Sequence, residues 1–83
     1  MNNQSLQSQI RGHLLELIRE SPMGAILPTE KMLAEQFGSS RATVQMVTLA
    51  LVREGFIERR KGLGSFVRSK EKRIFTDSNV SYH

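Results

Sequence analysis

"PTEKMLAEQFGSSRATVQMVTLALVREG", residues 28–55, holds two helices punctuated in the same way. In the first, Thr29 stands where an N-cap hydroxyl is needed, Glu30 suits the positive helix end, and Gly38 occupies the stop position. In the second, Ser40 caps, residues 41–54 keep a helical period, and Gly55 ends the run. About three residues separate the two, so the pair reads as a helix-turn-helix. Met32, Leu33 and Phe37 are expected to form the buried face of the first of these helices. In the second, Val47, Thr48 and Leu51 fall within about 60° of Val44 on a helical wheel and form a core stripe. Ala42, Gln45, Met46, Leu49 and Arg53 then face away from it.

The flanking sequence completes a small fold. Upstream, Leu6, Ile10, Leu14, Leu17 and Ile18 share a narrow arc at 100° per residue, which predicts an amphipathic helix from about 5 to 20. His13 borders that arc with no second ligand nearby, so it reads as a boundary histidine rather than a metal site. Pro22 and Gly24 break this helix and introduce a short extended segment, Ala25–Leu27. Downstream of Gly55 the period shortens from 3.6 to 2. "FIERR" and "SFVRS" become short strands joined by "KGLG", a β-hairpin. The expected fold is mainly α with a small β part: three helices and a C-terminal hairpin, a winged helix-turn-helix over residues 1–68. Residues 69–83 are polar and read as a linker or tail, with Ile74 and Phe75 as candidate anchors.

Composition narrows the function classes. Eighty-three residues suit one small domain, with 39% hydrophobic and 24% charged residues. The absence of cysteine excludes disulfides and thiolate metal sites. "MNNQSLQSQ" has neither the basic nor the apolar region of a signal peptide. No apolar run approaches the ~18 residues that span a bilayer. A cytoplasmic location, no membrane, no metal and no cofactor are the expectations. Enzyme chemistry has little to stand on, since His13 and His83 form no local pair and "GLGSFV" lacks the third glycine of a nucleotide-binding turn.

The net charge of +4 is concentrated. Residues 1–57 balance five Lys/Arg against five Glu, residues 58–73 carry +5, and the last ten residues carry −1. A basic block of this kind suits a polyanion or a solvated tail. Beside a helix-turn-helix, double-stranded DNA is the expected partner. The second helix of such a motif enters the major groove by its N-terminal turns, so Arg41, Ala42, Thr43 and Gln45 are the candidate contacts, with Met46 next to them. Arg41 suits a phosphate or guanine, Gln45 suits adenine, and Ala42 suits a thymine methyl. Ser40 and Thr43 bring hydroxyls to a helix end that favours phosphate. Ser40 equally serves as a cap, Thr43 as a back-bonded helix residue, and Met46 and Leu49 as a protein-contact face. At the wing, Arg59, Arg60 and Lys61 would bring charge to the backbone while Gly62 and Gly64 let the loop turn tightly and approach it.

The segments "LPTEKMLAEQFGSSRATVQ" and "GFIERRKGLGSFV" closely resemble the N-terminal winged-helix domain of GntR-type bacterial transcription regulators. The resemblance covers about residues 6–68, and the "SFVRSK…FTD" connection is similar to the HutC-like branch. It implies a repressor-like regulator that binds a short palindromic operator as a homodimer. It places DNA contacts at Lys31, Arg41, Thr43, Lys61 and Gly62. Ala42 stands where Thr is usual, Gln45 where Arg is frequent, and Thr48 where Leu is common, which leaves the packing register of that helix open. The resemblance also implies a C-terminal domain that binds a small-molecule effector and supplies most of the dimer interface. This chain is then either an excised DNA-binding part or a naturally bare domain, and the excised part is the expectation, with residues 69–83 leading toward the missing domain.

Overall fold

A computed structural model describes residues 5–72. Their element order is α1 (Leu6–Glu20), α2 (Glu30–Phe37), α3 (Arg41–Arg53), β1 (Ile57–Arg60) and β2 (Gly64–Val67). The three helices and the terminal hairpin are those expected. Ile74, Phe75, Asp77 and His83 lie outside the described residues.

Each helix is opened by a side-chain oxygen that satisfies an otherwise orphan N–H. Ser5 accepts from Ser8 N, Thr29 from Met32 N and Ser40 from Thr43 N, each at 3.1 Å. Gly38 ends α2 with φ +65°, and Gly55 follows α3 with φ +90°. At the α3 end, Phe56 N donates to Leu51 O and Gly55 N to Val52 O, both at 3.0 Å. That is the pairing of a Schellman stop, and its left-handed residue is glycine for steric reasons.

The core forms where the three helices meet the base of the hairpin. Ile10, Leu14 and Ile18 come from α1, Leu33 and Ala34 from α2, Val44, Val47 and Leu51 from α3, and Ile57 and Val67 from the strands. Burying a side chain of this size contributes about 1.5–3 kcal/mol. The stripe expected on α3 is the one observed, including Thr48, which is only 3% exposed. Its hydroxyl donates to Val44 O at 3.0 Å, so a polar group lies in the core without an unmet hydrogen bond. Thr48 inward and Leu49 outward fix the helix register left open above.

One expected core residue is misplaced. Met32 is 56% exposed, and Ala34 takes its place against the core beside Leu33 and half-buried Phe37. Leu33, Ala34 and Phe37 cluster on one side of a helical wheel, and Met32 lies far around from their centre. Its hydrophobicity suggests a core position that its angle denies.

The hairpin register is Ile57↔Val67, Glu58↔Phe66, Arg59↔Ser65 and Arg60↔Gly64. The extended segment after α1 joins it as a third chain. Gly24 N donates to Val67 O, Val67 N to Ala25 O, and Leu27 N to Ser65 O, at 2.8–2.9 Å. The wing therefore leans on the helical body by backbone bonds as well as by Ile57 and Val67. Beyond β2, Arg68 N and Ser69 N both donate to Phe56 O, and Lys70 Nζ donates to Arg19 O at the end of α1. A bidentate pair adds a further brace: Arg11 donates to Glu54 Oε2 at 3.0 Å and Oε1 at 2.7 Å, fastening α1 to the end of α3.

Candidate nucleic-acid interface

The α2–α3 turn is short because Gly38 reverses the chain and Ser40 immediately caps the next helix. Lys31 and Arg41 are thereby brought to the two sides of one shallow depression of about 280 Å³, also lined by Ala34, Glu35 and Ser39. Arg41, Ala42 and Gln45 are exposed on the first turns of α3. Thr43 is half-buried, and its hydroxyl lies 3.0 Å from Ser40 Oγ. Ser40 and Thr43 thus form a local capping pair at the helix end, which leaves Arg41, Ala42 and Gln45 as its outward chemistry. Met46 is exposed, with Gln7 Nε2 at 3.8 Å from its sulfur, so the N-terminus of α1 borders the same face.

At the wing, Lys61, Gly62 and Leu63 connect the strands, and Leu63 N donates to Arg60 O at 2.9 Å. Gly62 and Gly64 have φ of +77° and +122°. A Cβ at Gly62 would meet no atom within 4 Å, and one at Gly64 only the side chain of Ile26 at 3.6 Å. The backbone dihedrals, not crowding, demand glycine here. Arg59, Arg60, Lys61 and the two glycines line an open concavity of about 500 Å³.

The three adjacent cations behave differently. Lys61 is exposed and has no protein partner among the described residues. Arg60 lies over the Phe66 ring at 4.7 Å and 3.4 Å from the Glu58 carboxylate, which orients its guanidinium while half of the side chain stays exposed. Arg59 turns the other way, onto Glu30 at 3.0 Å. Strand alternation is the signal that separates them: Arg59 shares the face of buried Ile57, and Arg60 the face of Glu58. That pairing links the wing to the start of α2. Arg60 and Lys61 follow Arg59 along the chain, Arg59 meets Glu30, and Lys31 follows Glu30 and shares its depression with Arg41.

His13 packs edge-on against Phe37, with ring centroids 5.3 Å apart, and is half-buried. Among the described residues no group of three His, Asp or Glu is placed to hold a metal ion, and no helix is long and apolar enough to cross a membrane.

Residues 6–67 match the family of bacterial regulatory proteins named gntR. Among curated proteins, the chain is 54% identical over 46 residues to the HTH-type transcriptional repressor NagR of Bacillus subtilis (strain 168), covering 55% of this chain and 18% of that protein. It is 35% identical over 79 residues to the mannosyl-D-glycerate transport/metabolism system repressor MngR of Escherichia coli (strain K12), covering 93% of this chain and 32% of MngR. The chain thus spans less than a third of the length of these relatives. Among solved structures, the AraR DNA-binding domain in complex with operator ORE1 superposes with a TM-score of 0.73 at 28% identity, covering 78% of this chain and 82% of that one.

Proposed function

Since this chain belongs to the gntR family of bacterial regulatory proteins, we propose that it binds double-stranded DNA sequence-specifically, as the DNA-binding domain of a transcription repressor. The first turns of α3 enter the major groove, where Arg41, Ala42 and Gln45 read bases and the helix end carrying Ser40 and Thr43 meets phosphate. Lys31 holds the backbone on one side. Arg60 and Lys61, presented by the Gly62 and Gly64 turn, hold it on the other. The observation that carries this reading is exposed Arg41 sharing one depression with Lys31 at the start of α3, together with unpaired Lys61 at the glycine-flanked wing tip. The operator-bound AraR domain supports it.

The names of the relatives support repression rather than activation. The full-length protein would be a cytoplasmic homodimer of the HutC-like branch on a short palindromic operator, with no catalytic activity. Its small-molecule effector would be bound by a C-terminal domain, to which residues 69–83 lead. The experiment is a salt titration of binding to a fluorescent duplex. With four to six phosphates contacted per protomer, log affinity should fall against log salt with a slope near −4 to −5. A flat dependence would refute the reading. Exposed Met46 and Leu49 favour a second reading, a protein-contact face. Failure to bind any random-sequence duplex at low salt would promote it.

A further inference from the structure

The Arg59–Glu30 pair sits at a particular level of the wing. Arg59 stands opposite Ser65, and Leu27 N donates to Ser65 O at 2.8 Å on the other edge of β2. Three residues after Leu27 comes Glu30, whose carboxylate returns to Arg59 Nη1 at 3.0 Å. Leu27, Ser65, Arg59 and Glu30 therefore form a ring in which three non-covalent ties are closed by the chain from Leu27 to Glu30. Beyond this rung only the Arg60↔Gly64 pair and the three-residue loop remain, and they carry the cations assigned to the DNA backbone. Glu30 Oε2 is shut off from solvent, and its contact with Arg59 is one of charge without a well-aligned hydrogen bond. The pair borders a hollow of about 220 Å³ that Ile26 and Leu63 also line, and both side chains stay partly exposed.

We propose that Arg59 is a positioning residue for DNA binding, acting through Glu30 to set the angle of the wing tip rather than gripping phosphate itself. The inference rests on the DNA-binding reading above. Its consequence runs against simple electrostatics. Removing a negative charge near a polyanion-binding surface should tighten binding. Neutralising Glu30 instead frees the wing to pivot, and the correctly placed Arg60 and Lys61 are lost from the ensemble.

The test uses the 83-residue chain and a short fluorescent duplex of random sequence at low salt, with melting temperature as a folding control. Arg59→Gln and Glu30→Gln are each expected to weaken binding roughly three- to tenfold, and the double variant no further than either single one. The swapped variant Glu30→Arg/Arg59→Glu should regain most of the loss. Should Glu30→Gln fail to fold, Glu30→Asp keeps the charge at the helix end but shortens the reach, and it should weaken binding too. Tighter or unchanged binding in the Glu30 variants, or additive losses in the double variant, would overturn the positioning role while leaving DNA binding intact. If the wild-type chain does not bind the duplex, the functional reading fails and this inference falls with it.

Discussion

At the scale of single residues, neighbours of the same chemical type are given opposite duties by geometry. Arg59 and Arg60 are adjacent, yet one faces Glu30 and the other lies over Phe66. Composition marks both as cations for a polyanion. Only strand alternation, anchored by buried Ile57, divides them. The division was readable in principle, but the partner Glu30 lies far away in sequence, and no local pattern announces it. Met32 is the converse case, where hydrophobicity outweighed an angle that the helical wheel already gave. For the exposed contacts, Arg41→Ala should cost ~1–3 kcal/mol of binding and relax base preference at one operator position. Competition between selected and scrambled duplexes measures that. Lys61→Ala should weaken all duplexes about equally and reduce the salt slope by about 1. Loss at a single base pair would contradict its assignment to the backbone.

At the scale of elements, the helices were legible because their signals are local. Thr29 and Ser40 each lie one residue before a helix, Gly38 and Gly55 each follow one, and α1 was legible in its apolar period but not in its Ser5 cap. Ser40→Ala should cost about 1 kcal/mol of stability, since the orphan N–H of Thr43 loses its acceptor. Gly12, in contrast, is an exposed helix-interior glycine without a positive φ, and a Cβ added there would meet no atom within 4 Å. Gly12→Ala should stabilise by about 0.5–1 kcal/mol, raising the melting temperature by roughly 2–8 °C.

The brace between α1 and α3 adds a pH signature. The Arg11 hydrogen bonds hold the Glu54 carboxyl below its ordinary value, with desolvation partly opposing them. A depressed folded-state pKa gives stability that is present at neutral pH and lost as pH falls through it. Because the pair is partly exposed, Glu54→Gln should cost no more than about 1 kcal/mol at neutral pH. That cost should vanish in acid, where wild type and variant should melt together.

At the scale of the molecule, one small core holds helices and wing in a single frame, so a core lesion should disturb both halves of the interface. Leu51→Ala, at a fully buried site, should cost about 2–5 kcal/mol. Denaturant unfolding would show whether wing and helices are lost in one transition. The fold class was legible in the order of capped helices and a period-2 hairpin. The docking of residues 24–27 along β2 was not, because its bonds run backbone to backbone and leave no mark on side-chain pattern. The most direct test is a titration of the isotopically labelled chain with a duplex selected from a random pool, followed by amide chemical shifts. If α3 enters the groove while the wing holds the adjoining backbone, Arg41–Gln45 and Lys61–Gly64 should shift together and the middle of α1 should not. Shifts confined to Met46, Leu49 and α1, or to only one of the two predicted segments, would contradict it.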